Sequence, residues 1–125
     1  MTVIRLYTKI INTSDFAGKL IQGLISKGYS LNVICNKKTI DELATKKVNT
    51  ENIHFSDFDE CSNIQFFNFD CLLNLSLKFI PQFSSFNNFI EIFNLNDSEL
   101  LNERINYFNF RGYPLKIFQN CNLNL

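Results

Sequence analysis

The residue with the clearest potential for chemistry is Cys35, which ends a predicted strand shortly before a helix that Thr39 can cap. A helix N-terminus lowers the pKa of a nearby thiol and so favours the nucleophilic thiolate. No His or Arg follows Cys35 at the spacing found in phosphatases. A small α/β enzyme that uses Cys35, or an unrecognised nucleotide site, therefore stays open as an alternative function.

The glycines do not form a phosphate-binding loop. Gly18 and Gly23 have the G-x-x-x-x-G spacing, but Leu24 and Ile25 stand where Lys and then Ser or Thr must follow. Both glycines also fall inside a predicted helix, and the loop after the first strand, residues 8–14, contains no glycine. We predict no nucleotide cofactor.

Metal-binding patterns are weak as well. His54 has no Cys or second His at ligand spacing, so the sequence predicts no zinc site. Asp57, Asp59 and Glu60 form an acidic turn that can hold magnesium weakly. A solvated turn is the favoured interpretation, because no phosphate-binding motif accompanies these residues. We therefore predict no metal site and no catalytic centre.

The overall charge favours neither nucleic acid nor an anionic membrane as a direct partner. Twelve Lys and Arg balance twelve Asp and Glu over 125 residues, so no long-range field draws the chain to phosphate. No stretch reaches the roughly 18 apolar residues that cross a bilayer. Hydrophobic residues make up 46% of the chain, enough for one packed domain of common size.

The cysteines and the first residues predict a cytoplasmic protein. Cys35, Cys61, Cys71 and Cys121 include no C-x-x-C pair, and a chain with a good core needs no disulfide bonds. Residues 1–12 lack the basic leader, apolar block and cleavage site of a secretory signal. We expect reduced thiols and no export.

The first third of the chain predicts a strand, a helix and a second strand. Residues 2–7 are rich in β-formers, and a polar cluster before Asp15 begins a helix that ends at Gly28. Residues 30–35 form the next strand, so a parallel βαβ unit is the simplest arrangement. A short, solvated helix follows from Thr39.

The remaining elements complete a three-layer α/β fold. Residues 53–58 and 64–69 are weak β-like segments, whereas residues 71–77 have the dense apolar pattern of a strand buried on both faces. Residues 89–94 predict another central strand, and a last helix begins near Asp97 and ends at Gly112 and Pro114. We predict one domain over residues 1–118, Rossmann-like with a mostly parallel sheet, and a frayed tail over 119–125.

Four segments of the C-terminal half carry a resemblance to a known family. They are residues 70–76, Pro81 with Phe83, residues 89–92 and residues 102–115. The most specific feature is Arg104 followed by Arg111 and Gly112, and then by the run Tyr-Pro-Leu. In order and spacing these segments resemble the chi subunit of bacterial DNA polymerase III, and the resemblance spans roughly residues 2–118.

The resemblance implies an accessory subunit without catalytic activity of its own. A chi-like protein adopts a nucleotide-binding-like α/β sandwich without binding nucleotide, and serves within a DNA-directed DNA polymerase complex. Its partners are the psi subunit, which ties it to the clamp loader, and the acidic, Phe-terminated tail of single-stranded DNA-binding protein. Nucleic acid is then an indirect partner only.

The resemblance also implies where the acidic tail binds. The family's basic positions fall at Asn102 and Asn106 here, and its aromatic position falls near Val48, with Phe55 close to the family's aromatic and histidine pair. An acidic peptide that ends in Phe needs an apolar pocket for its ring and a cation at the rim. The available cations are Arg104, Arg111, Lys116 and Lys78, and the candidate ring contacts are Phe93, Phe108 and Phe110.

Overall fold

The computed structural model describes residues 1–36, 38, 41, 53–57 and 70–119. Its strands are β1 (Val3–Ile10), β2 (Leu31–Cys35), β3 (Ile53–Asp57), β4 (Cys71–Asn74), β5 (Asn88–Asn94) and β6 (Leu115–Gln119). Its helices are α1 (Thr13–Ser26) and α2 (Ser98–Phe110), and a 3-10 helix spans Pro81–Ser85.

The six strands form one sheet in the order β3-β2-β4-β5-β1-β6. All five pairings between these strands are parallel. Helix α1 packs on one face of the sheet, whereas α2 and the 3-10 helix pack on the other. The predicted Rossmann-like α/β sandwich is therefore confirmed.

Local sequence signals set both ends of α1. The Asn12 side chain accepts a hydrogen bond from the backbone N–H of Asp15 at 3.1 Å, which satisfies one of the free donors of the first turn. At the other end Gly28 has a φ of +89°, and the N–H of Tyr29 donates to the Leu24 carbonyl at 3.0 Å. This left-handed stop confirms the predicted helix end.

Helix α2 ends in the same way at Gly112. Its φ is +75°, and the N–H of Tyr113 donates to the Phe108 carbonyl at 3.1 Å. A side chain at either glycine would be strained in this left-handed conformation. In each of the two helices, the position of one glycine in the sequence thus predicts where the helix ends.

Two hydrophobic clusters lie on opposite faces of the sheet because neighbouring residues of a strand point in opposite directions. On β4, Leu73 faces α1 and Leu72 faces α2, and both side chains are 0% exposed. Much of the Phe content lies on the α2 face, where the Phe83 ring lies 5.2 Å from the rings of both Phe108 and Tyr113. The central strands are therefore covered on both sides.

The strand β6 was not predicted, and its last residue, Gln119, is the first residue of the segment predicted to be a frayed tail. The rest of that segment lies outside the described residues. Strand β6 pairs with β1 from Ile4 and Leu115 to Thr8 and Gln119. The Phe118 ring stacks on Tyr7 at 4.8 Å. Five residues with weak alternation do not identify a strand until the edge of β1 is present to pair with them.

Strand β4 is shorter than predicted, since it ends at Asn74 rather than at residue 77. The Asn74 side-chain oxygen accepts from the N–H of Ser76 at 3.1 Å, which turns the chain out of the sheet. Strand β3 confirms the first of the two weak β-like segments. The helix predicted from Thr39 and the segment 64–69 fall mostly or wholly outside the described residues, although Lys38 and Asp41 are helical.

We predict that Leu73→Asp abolishes cooperative folding. The carboxylate would lie in a fully buried strand without a cation to pair with it, at a cost of several kcal/mol, comparable with the whole stability of a small domain. Leu95→Asp is the matched control, because Leu95 is 58% exposed. Thermal melts followed by circular dichroism distinguish the two. A cooperative melt of Leu73→Asp near that of the control would contradict this burial.

Candidate functional site

A buried polar network lies on the α2 face of the sheet. Asn74 at the end of β4 and Glu91 on β5 are register partners, so their side chains point to the same face. Both are 0% exposed. The Asn74 amide donates to Glu91 Oε2 at 3.1 Å and to the Lys78 carbonyl at 2.7 Å.

Arg104 of α2 completes this network. Its Nε lies 3.0 Å from Glu91 Oε1 and 3.3 Å from Oε2. The Arg104 Nη2 donates a hydrogen bond to the Leu77 carbonyl at 2.8 Å. Leu77 itself has a left-handed φ of +59°. A single arginine thus ties α2 to β5 and to the loop after β4.

Burial dominates the electrostatics of Glu91. It raises the pKa of this carboxyl to about 7, because the charged form loses its hydration. The positive charge and hydrogen bonds of Arg104, and the Asn74 amide, act in the opposite direction. Arg104 therefore offsets part of the cost of the buried carboxylate.

A patch of aromatic and cationic residues lies beside this network, and we call Lys78, Phe79, Tyr107 and Arg111 the aromatic–cation surface. The Phe79 ring is 5.1 Å from the Tyr107 ring and 40% exposed. The Arg111 guanidinium carbon lies 3.6 Å from the centre of the Tyr107 ring. Lys78 and Arg111 are both exposed. This surface offers apolar ring faces flanked by positive charge.

The residues predicted to bind a partner on α2 divide between two sides of the helix. Asn102 and Asn106 are exposed and lie one turn apart. Arg104 and Arg111 lie on a different side, where Arg111 belongs to the aromatic–cation surface. The charge of Arg104 is directed into the protein, since its side chain is 11% exposed and pairs with Glu91. It is a structural cation in this conformation.

The rings predicted to contact a partner also differ in their exposure to solvent. Phe93 and Phe108 are 0% exposed and belong to the core, so neither ring presents a surface to a partner. Phe110 is 88% exposed. Phe55 is partly buried on β3 and packs against the α1-side core, and Val48 lies outside the described residues.

Sequence reasoning missed Glu91, Asn74, Phe79 and Tyr107 as parts of a site. A detectable signal existed for the first two, because each is a polar residue within an otherwise apolar strand. Such a residue needs a partner when it is buried. The partners themselves lie on other elements, so the sequence pattern does not identify them.

Cys35 has the environment of an inert thiol. It is 0% exposed, and burial, together with the nearby charge of Asp57, raises its pKa to about 12. A thiol with that pKa stays protonated at neutral pH and is a poor nucleophile.

Two searches of the described residues for other features find nothing. No group of three or more His, Cys, Asp or Glu among them could hold a metal ion. Neither helix of this part of the chain is long and apolar enough to span a membrane.

No model of a known protein family matches the chain, and no curated protein is significantly similar to it in sequence.

The buried carboxyl predicts a pH-dependent stability. Between pH 4.5 and about 7 the folded protein keeps the Glu91 proton that the unfolded chain releases, so the free energy of unfolding falls as pH rises through this window. The loss is on the order of 3 kcal/mol. Glu91→Gln should remove it. Urea denaturation of both proteins at pH 4.5, 6 and 7.5 measures the difference, and parallel pH profiles would contradict the prediction.

The pairing of Arg104 with Glu91 predicts strong coupling between the two residues. Arg104→Met should cost about 3 to 5 kcal/mol at pH 8, because it leaves a buried carboxylate without its cation. Adding Glu91→Gln should restore most of this stability. Arg111→Met, the control at the C-cap of the same helix, should cost less than about 1 kcal/mol. Additive effects of Arg104→Met and Glu91→Gln in denaturant melts would show that the pair is not coupled.

Proposed function

We propose that this protein is a non-catalytic accessory subunit, chi-like in its role, that binds an acidic, Phe-terminated peptide on its α2 face. The observation that carries the proposal is the aromatic–cation surface, which joins the exposed ring of Phe79 and the half-buried ring of Tyr107 to two exposed cations. It lies beside the helix on which the resemblance is strongest. In this role the peptide is the tail of single-stranded DNA-binding protein. A psi subunit or the clamp loader is the second partner, in the cytoplasm.

The chemistry of this surface suits such a peptide. A terminal Phe ring can pack against Phe79 and Tyr107, which are already arranged edge to face. Arg111 is held over the Tyr107 ring, and it can direct charge-assisted hydrogen bonds to a carboxylate. Lys78 adds a second exposed cation next to Phe79 in the chain. Acidic side chains along the peptide then meet positive charge rather than an apolar surface alone.

Two features weigh against the alternative of a small enzyme. Nucleotides in open α/β sheets bind near the carboxyl ends of the strands. Here Asn74 lies at the carboxyl end of β4 and is bonded to Glu91. Arg104, the cation beside them, is already paired with Glu91 and so is not free to bind a phosphate. Cys35, the candidate nucleophile, is buried with a raised pKa. The proposal therefore assigns the protein a binding role.

The binding role predicts that Arg111→Gln weakens the binding of an acidic peptide that ends in Phe by about tenfold or more. One lost charge-assisted hydrogen bond is worth about 1.5 to 3 kcal/mol. Phe79→Ala should weaken it as well. Lys19→Gln is the matched control, since Lys19 is exposed on α1, across the sheet. Fluorescence anisotropy of a labelled peptide at low salt provides the affinities.

A double variant tests the position of the peptide. Asn102→Arg with Asn106→Lys restores the cations implied by the resemblance and should tighten binding at low salt, with a gain that shrinks as salt is added. Tightening that is accompanied by no effect of Arg111→Gln would place the peptide on the outer side of α2 instead. No measurable binding of the peptide by any variant would refute the proposed function.

A further inference from the structure

A cavity of about 360 Å³ lies on the α1 face of the sheet. Its position is at the amino-terminal edge, since it reaches the first residue of β4 and of β5 and the C-terminal turn of α1. Tyr7, Leu20, Leu24 and Ile90 provide apolar walls. The volume falls in the usual range of small-molecule sites.

Two cations contribute to the same cavity. Arg5 is a partly buried residue of β1, and Lys27 is an exposed residue just after α1. The Arg5 Nε donates to the side-chain oxygen of Asn88 at 3.0 Å. Within the described part of the chain this neutral amide is the hydrogen-bond partner of the guanidinium, and no carboxylate pairs with it. A partly buried arginine usually pairs with an anion.

Among the described residues, the charges around the cavity are positive in balance. The carboxylate of Asp70, next to the cavity residue Cys71, accepts a hydrogen bond from the backbone N–H of Ser30 at 3.2 Å. Burial and the charge of Asp70 raise the pKa of the Cys71 thiol, whereas Arg5 lowers it. Arg5 and Cys71 both line the cavity. Arg5 and Lys27 together outweigh Asp70.

We infer that this cavity binds a monocarboxylate attached to an apolar body, with the carboxylate on Arg5 and the apolar part between Tyr7, Leu20 and Leu24. A guanidinium binds a carboxylate in two-point geometry. Phosphate is a poorer fit, because the negative end of the α1 dipole borders the cavity and opposes a doubly charged anion more strongly than a singly charged carboxylate.

This inference does not rest on the proposed function. The cavity lies across the sheet from the aromatic–cation surface, and at the opposite edge from the carboxyl ends where α/β folds usually bind ligands. The carboxylate can belong to a free organic acid or to the C-terminus of a peptide, since both present the same group beside an apolar side chain.

The probe is 3-phenylpropionate, compared with its neutral amide in calorimetric titrations at low salt. We expect saturable binding of the acid and at least tenfold weaker binding of the amide. Arg5→Gln should weaken binding of the acid at least tenfold, and Lys27→Gln should weaken it less and in a salt-dependent way. Lys19→Gln, which removes an exposed cation of α1 that does not line the cavity, should have no effect.

Equal binding of the acid and the amide, or unchanged affinity in both Arg5→Gln and Lys27→Gln, would overturn the inference, as would the absence of saturable binding. If Arg5→Gln fails to fold, two other variants test the inference. Lys27→Gln should weaken binding of the acid, and Leu24→Trp should abolish it because the tryptophan ring would fill the cavity. N-acetyl-Gly-Phe with a free C-terminus tests whether the carboxylate belongs to a free organic acid or to the C-terminus of a peptide. Binding of this dipeptide identifies a chain terminus as an accepted ligand, and binding of 3-phenylpropionate alone identifies a free organic acid.

The same variants separate this inference from the proposed function. An acidic peptide that loses affinity with Arg111→Gln and not with Arg5→Gln binds the aromatic–cation surface. A monocarboxylate that shows the reverse pattern binds the cavity. Each result stands whether or not the other site is occupied.

Discussion

The α2 side of the protein depends on the contact between Glu91 and Arg104. A carboxyl that is 0% exposed on β5 is costly to ionise, and the arginine that offsets this cost comes from the helix that covers the strand. The same arginine donates to the Leu77 carbonyl. One side chain therefore fixes α2 against the sheet and holds the loop after β4 in a left-handed conformation at Leu77.

The aromatic–cation surface is a consequence of this arrangement. Phe79 follows Leu77 by two residues, and Tyr107 follows Arg104 by one helical turn. The hydrogen bond from Arg104 to Leu77 therefore joins the two elements that carry these rings. The Arg104 guanidinium also lies 5.9 Å from the centre of the Phe79 ring. Any binding function of this surface thus relies on a buried ion pair that touches no partner.

The two faces of the sheet provide different kinds of chemistry. On the α2 face the buried groups of Asn74, Glu91 and Arg104 pair with one another, and the exposed part carries the rings and cations of the aromatic–cation surface. On the α1 face a cavity lies beside Arg5, whose hydrogen-bond partner among the described residues is a neutral amide. A parallel sheet that is covered on both sides can carry a different set of groups on each face, because alternate residues of each strand point to opposite faces.

Features that depend on neighbours in the chain could be predicted from the sequence. The glycines Gly28 and Gly112 end the helices, Asn12 caps the first one, and the apolar run that begins at Cys71 forms a central strand, because capping and periodicity act within a few residues. Features that join distant segments were decided by the tertiary structure alone. Asn74 and Glu91 meet through strand register, Arg5 and Asn88 meet although they are 83 residues apart, and β6 forms because β1 offers it an edge. Whether an arginine faces a partner or the core depends on what the opposite element presents, and no local pattern contains that information.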